Sequence, residues 1–451
     1  MHIFSIIILI SLSVMLLLGK RPLKLAILII SVFLLKPISL GGSPFLASSN
    51  LLAIVFFISE LKYFSKNVIT IKQSHLLFFF IILIIPVFIL WLHSPHYSGL
   101  SGLTKIVLYE IITKYFALAY GIILLKERCD FRILINAIYW CIIILTVFGV
   151  VNLVFRQAFW LDWFIQGDWG EYYTHSDRFR VQSLFNNPFN YGFVCLLAFF
   201  MGLYAKLEKL ISNNRWIVIL FGSLFGIFMC GCRTIIICFI IMGLTYVSFH
   251  FNNKRVLGLS LSVVLLFLIS YNTIELVHNS IDAALSVFDD SQNVSGSSID
   301  MRQEQFSSVL YHIRNDFYYG KGYRYFYFDM GWSEMREGGV VDWSLHGLEG
   351  VYLNYLLERG IIGYLFYLLI WLLLIIYSLH SLILNKTAAV TALTIIIGYV
   401  TFAHMTGELG TAYATLLFVG IFLSLCKKKT THIKTQILNN AISLASRAAK
   451  S

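Results

Sequence analysis

The stretch "ILINAIYWCIIILTVFGVVNLVF", Ile133 to Phe155, runs for 23 residues without a charged side chain. A helix of that length crosses the roughly 30 Å hydrocarbon layer of a bilayer. "LLFFFIILIIPVFILWL", Leu76 to Leu92, repeats the pattern. Membrane barrels are built from short strands that alternate apolar and polar residues, and these runs are unbroken, so they read as helices. The whole chain agrees. Of 451 residues, 58% are hydrophobic and only 13% charged, and a mean hydropathy of +0.79 lies outside the soluble globular range. The sequence predicts an all-α, polytopic transmembrane helix bundle.

The formal net charge of +11 would suit a nucleic-acid partner if the basic residues clustered. They lie instead in short loops between apolar runs, which is how a membrane protein sets its orientation, so no nucleic acid is expected. Apolar runs fall near 3–18, 25–40, 47–64, 75–93, 104–125, 133–155, 189–205, 216–232, 234–251, 256–271, 361–379, 388–406 and 411–426. The second is short and interrupted by lysine and proline, so the expected count is twelve to fourteen. "GKRPLK", "KYFSKNVITIK", "KERCDFR", "KLEKLISNNR", "NNKR" and the basic tail 427–451 all fall on one side, which the positive-inside rule assigns to the cytoplasm. The chain thus divides into N-terminal membrane helices (1–271, with an outer loop at about 156–188), a large outer loop (272–350) and C-terminal membrane helices (351–426). The first run lacks a basic leader and a small-residue cleavage site and reads as a retained helix.

The outer segments carry Arg156, Arg178, Arg180, Arg302, Arg314, Arg324 and Arg336 but, among lysines, only Lys321. Orientation does not require arginines outside. Their planar fork suits phosphate or carboxylate, although acidic neighbours such as Asp300, Glu304 and Asp316 offer ordinary salt bridges. In "DRFRVQSLFNNPFNYGF", Arg178 or Arg180 can sit at headgroup level before a helix start marked by Asn187 and Pro188. In "CGCRTIIICF", Arg233 lies between two apolar runs with almost no connection, where an unpaired cation is costly; it is either a site residue or a snorkelling one. "SSIDMRQEQFSSVLYHIRNDF" reads as an amphipathic helix from about Asp300 to Phe317, with Arg302 in the first turn, where free backbone donors also favour an anion.

Glu110 and Lys114 lie four apart in an apolar run, which allows either a buried neutralising pair or a proton relay. The seven cysteines lie in or beside apolar runs or in a basic loop and imply no disulfide framework; Cys230 and Cys232 lack the further ligands a metal would need. No Walker loop, zinc-ligand set or G-x-S-x-G elbow is present.

"WSLHGLEGVYLNYLLERGIIG", Trp343 to Gly363, places a histidine and a glutamate just before an apolar run. With "RVQSLFNNPFNYG", "CRT" and Arg302 ahead of "NDFYYGKG", it resembles the O-antigen ligase and polymerase superfamily over the C-terminal two-thirds of the chain. In the ligase pattern H-N-x-Y-L-x-x-L-x-E-x-G-x-x-G, Tyr352, Leu353, Leu356, Glu358, Gly360 and Gly363 match, and Glu349 stands where the ligase has histidine. That departure favours a Wzy-type polymerase over a ligase. The resemblance implies a GT-C-like bundle in the bacterial inner membrane, with its site at the periplasmic face, and metal-independent, inverting glycosyl transfer without a cofactor. The donor would be an oligosaccharide on undecaprenyl pyrophosphate, and a chain-length regulator protein is an expected partner. A developing pyrophosphate needs fixed cations, the role given to Arg233, Arg302 and Arg180, with Arg178 and Arg314 as further candidates. The acceptor hydroxyl needs a base: Glu349 first, His346 second. A lipid-linked oligosaccharide flippase is the alternative from another class, although no internal repeat supports it. Glu358 and Arg359 read as a helix-surface element, with Gly360 and Gly363 permitting close packing.

Overall fold

The computed structural model describes residues 3–35, 48–64, 73–112, 114–124, 128–158, 160, 179–250, 298–325, 345, 348–408 and 410–426. Among these there is no strand. The helices are α1 (Ile3–Leu18), α2 (Arg21–Phe33), α3 (Ser48–Phe64), α4 (Gln73–Leu92), α5 (Gly99–Val107), α6 (Phe116–Leu124), α7 (Arg128–Phe155), α8 (Pro188–Leu207), α9 (Asn213–Met229), α10 (Arg233–His250), α11 (Ser298–Ile313), α12 (Val351–His380) and α13 (Lys386–Thr406), followed by α14 (Ala412–Cys426). Among the described residues, five helical stretches, Asp130–Phe155, Pro188–Leu207, Arg233–His250, Val351–Ile383 and Lys386–Thr406, are long and apolar enough to cross a membrane. The predicted span at 256–271 lies outside the described residues.

Burial separates two kinds of helix. α8 and α13 are central, with 83% and 72% of their apolar windows buried, against 33% for α7 and 28% for α10. The peripheral helices turn large apolar side chains outward, among them Trp140, Val147 and Val154 of α7, Leu244 of α10, and Leu372 and Ile376 of α12. Water would penalise such a surface, whereas lipid tails are as apolar as the side chains themselves. The centre is aromatic: Phe193 of α8 packs on Tyr399 and Phe402 of α13, and Trp371 of α12 lies 4.6 Å from Tyr399.

The connections gather at two ends. At one, Arg21 pairs with Asp130 at 3.0 Å, and Arg215 Nη1 donates to Asn136 at 2.6 Å. At the other, Val181 N donates to the Met229 carbonyl, Tyr323 N donates to Ser94 Oγ at 2.7 Å, and α11 packs on the start of α12 through Val309, Ile313, Leu353 and Leu357. All candidate site residues that are described belong to this second end.

The run expected as one helix near 104–125 is broken. α5 passes into a π turn, Leu108–Ile112, before α6 begins at Phe116. π turns put an extra residue into the ladder and are frequent at functional positions. α12 differs too. It begins at Val351, ten residues before the expected 361, and kinks at Gly360, whose φ of 61° and ψ of −169° are non-helical.

Candidate functional site

Arg302 lies in the second turn of α11, which begins at Ser298 rather than at the expected Asp300, and reaches across to the segment that enters α12. Its Nη2 and Nε donate to the same oxygen of Glu349, Oε2, at 2.8 and 3.2 Å. Nη2 also donates to the carbonyl of Met405, in the last turn of α13, at 2.9 Å. One turn along α11, Gln305 Oε1 accepts from the backbone N–H of Glu349 at 3.1 Å. Three elements therefore converge on one ion pair. Its side chains are 28% and 35% exposed, open enough for a ligand to compete for the guanidinium. Two residues singled out 47 positions apart in sequence are brought together.

Glu349 is followed by a glycine for a local reason. Gly350 has φ 105°, and a Cβ there would lie 2.6 Å from the Tyr352 ring and 2.8 Å from the His404 carbonyl. His404 carries no sequence motif and was not among the expected site residues. Its ring is fixed on both edges: Nδ1 lies 2.7 Å from the Val400 carbonyl and Nε2 lies 3.0 Å from the Tyr364 hydroxyl. With Nδ1–H donating to the carbonyl, Nε2 accepts from Tyr364. The ring stacks nearly parallel to Tyr352, at 7°. The only signal available in sequence was its position beside the "GELG" turn that ends an apolar run.

Arg180 and Arg233 flank the Cys230–Cys232 turn. Arg180 lies 5.7 Å over the Phe189 ring, a cation–π geometry, and its Cγ is 3.3 Å from where a Cβ on Gly231 would stand. Asn187 caps α8 through Phe189 N at 2.8 Å, with Pro188 opening the helix, so "NNP" is an ordinary helix start as well as a spacer for Arg180. α10 and α13 run antiparallel, with Met242 against Gly398 and His250 beside Lys386. Nine residues from that contact, about 13 Å of helix, Arg233 comes level with Gly407 at the α13 terminus that accepts from Arg302. Arg314 is not part of this group: its guanidinium covers the Tyr311 ring at 4.7 Å on the exposed face of α11. Arg178 and His346 lie outside the described residues.

The expectation for Glu358 and Arg359 is corrected. Arg359 is 8% exposed and pairs with Glu110 at 2.5 Å; it is not on a helix surface. Lys114 donates to Glu110 at 3.2 Å and to Glu408 at 2.5 Å, and Tyr399 donates to Glu408 at 3.2 Å. The Glu110–Lys114 pair expected from spacing is thus part of a larger ionic cluster, in which Lys114 bridges Glu110 and Glu408 and Arg359 also pairs with Glu110; buried charges need such partners. Glu358 Oε1 accepts from Arg324 N at 3.0 Å.

The kink itself is laced to the loop. Lys321 N and Gly322 N donate to the carbonyls of Leu357 and Glu358, while Ile361 N and Ile362 N donate to Phe317 and Tyr318. Residues 317–322 thereby satisfy the helical groups that Gly360 leaves unpaired. Beside this strap, Tyr97 and Tyr323 pack edge to face at 5.1 Å, and burial raises both phenols above their ordinary pKa.

No protein-family model matches this chain, and no curated protein matches it either.

Proposed function

We propose that this chain is a Wzy-type polymerase of the bacterial inner membrane. It would transfer a glycan from undecaprenyl pyrophosphate to a sugar hydroxyl of a second lipid-linked repeat unit, without a metal and with inversion. In this reading the end bearing Arg302 and Glu349 faces the periplasm, the C-terminus is cytoplasmic, and the bundle is GT-C-like with twelve to fourteen spans. A chain-length regulator protein would be its partner. The observation that carries the reading is the Arg302–Glu349 pair, a fixed cation and a carboxylate beside a helix start, at the position where the resembled family keeps its reactive side chain.

In the resting state the guanidinium is divided between Glu349 Oε2 and the Met405 carbonyl. A pyrophosphate offers more acceptor oxygens and, as it leaves, growing charge, so it draws Arg302 towards itself. Glu349 is then free to take the proton of the acceptor hydroxyl. The hydroxyl oxygen bonds to the anomeric carbon as the carbon–oxygen bond to pyrophosphate breaks, and the leaving group departs with the electron pair. Arg233 and Arg180 supply further positive charge at the same level.

The test is a lipopolysaccharide gel of a deletion strain. Loss of a polymerase leaves core carrying one repeat unit, and the full gene restores the ladder. Bare core with accumulating lipid-linked polymer would instead identify a ligase, repeat units trapped on the cytoplasmic side a flippase, and an unchanged ladder would sink all three. In the complemented strain, Glu349→Gln should lower polymerisation by about 10² to 10⁴, the usual contribution of a positioned base.

A further inference from the structure

The Arg302–Glu349 pair joins the Glu349–Tyr352 turn to the end of α13, and besides Arg302 one residue, His404, touches both. The carbonyl of His404 lies where Gly350 leaves room for it. The carbonyl of the next residue, Met405, is the one that accepts from Arg302. The imidazole reaches α12 on both sides of the Gly360 kink. It stacks on Tyr352 before the kink, receives the Tyr364 hydroxyl after it, and has the Tyr367 ring at 6.1 Å. Its own backbone anchors the far edge, through Nδ1 and Val400. A ring bonded at both nitrogens, with the parallel Tyr352 ring 6.5 Å away, cannot rotate without breaking a hydrogen bond.

We infer that His404, with Tyr364, is the positioning residue of this site: it fixes the α12 entry against the α13 terminus and so sets Glu349 opposite Arg302. It acts through Glu349 and does not itself meet the reacting atoms. The groups around it are Tyr352, Tyr364 and Tyr367 on α12, Glu349 and Arg302 beyond Gly350 and Met405, and Glu408 one turn on. The inference rests on the proposed glycosyl transfer for its catalytic consequence, but its geometric content stands apart from that reading.

Two experiments on the full-length chain in proteoliposomes test it. In the first, Arg302→Cys and Glu349→Cys are introduced together and joined by a short bismaleimide, a readout that needs no activity. His404→Gln and Tyr364→Phe should each lower the cross-linking yield severalfold. An unchanged yield overturns the inference. In the second, transfer is measured with the strain's own undecaprenyl-pyrophosphate-linked repeat unit. Misplacing a reacting group by about 1 Å costs on the order of 10²-fold in rate, so His404→Gln should lower kcat by about that factor with KM unchanged. Tyr364→Phe, which removes one oxygen and preserves packing, should do so in the same direction. Adding His404→Gln to Glu349→Gln should cause little further loss, because a residue that acts through another has nothing left to position once that other is removed. Losses that multiply, or a fall in KM affinity with kcat intact, overturn the inference. Should the wild-type chain show no transfer, the proposed function fails, and the cross-linking yields still decide the role of His404.

Discussion

Gly320 and Gly360 approach each other closely enough that neither has room for a side chain. A Cβ on Gly320 would stand 2.5 Å from the amide nitrogens of Arg359 and Gly360, and one on Gly360 would run into the Tyr318 carbonyl. Both have positive φ, 72° and 61°, so an L-residue is strained there even before the collision. Gly360→Ala or Gly320→Ala should each cost roughly 1–3 kcal/mol, read as a lower unfolding temperature in detergent; wild-type melting would show that the strap can move aside. Arg302→Lys is a charge-preserving probe of a different kind. It keeps one cation and loses the fork that reaches Glu349 and Met405 together, so transfer should fall well below wild type while the chain folds normally. Arg302 and Glu349 could be singled out in sequence because an arginine in an amphipathic outer-loop helix and a carboxylate just ahead of an apolar run stand out, and because a resemblance supplied their register. His404 was not. A lone histidine in an apolar helix carries no periodic signal, and its partners, Tyr352 and Tyr364, lie tens of residues away.

At the scale of elements, the buried ionic cluster fastens three pieces that share no continuous helix: the π turn after α5, the kinked start of α12 and the turn after α13. Spacing alone gave half of it, since Glu110 and Lys114 are neighbours on one face. The other half was hidden because Arg359 and Glu408 look like ordinary charges at helix ends, and only tertiary packing buries them. Lys114→Met should cost about 3–5 kcal/mol, because it leaves Glu408 charged in a site from which water is largely excluded. Lys114→Met with Glu408→Gln should cost less than the single change, since it also removes the carboxylate that lost its cation. Thermal unfolding of the two variants side by side checks this, and equal stability of the single variant and wild type would mean that the carboxylate finds water. The broken helix near Glu110 was illegible for a related reason. An unbroken apolar run gives the same pattern whether its ladder is α or contains a π turn.

For the whole molecule, the segregation of the loops to two ends makes the proposed orientation testable. Arg180, Tyr323, Arg302, Glu349 and the turn after α13 meet at one end, and Arg21, Asp130, Asn136 and Arg215 at the other. Cysteines introduced at the exposed positions Tyr311 and Tyr318 should react in intact cells with a maleimide that enters the periplasm and cannot cross the inner membrane, and a cysteine at Lys209 should react only after lysis. The reverse pattern would invert the assignment. The helical class was legible from run lengths because the bilayer imposes one dimension on every span; the depth of each helix within the bundle was not, since lipid-facing and core-facing helices are equally apolar.

The lacing of residues 317–322 onto residues 357–362 runs through main-chain groups. Apart from Gly320 and Gly322, both at positive φ and without room for a Cβ, these bonds do not depend on which side chains the strap carries. Phe317 and Tyr318 stand exposed on its outer surface and can be replaced without unfastening it, whereas Tyr319 stacks on His93 at 4.4 Å. Under the proposed glycosyl transfer, the strap would thus present an exchangeable face on a fastening that its side chains do not hold.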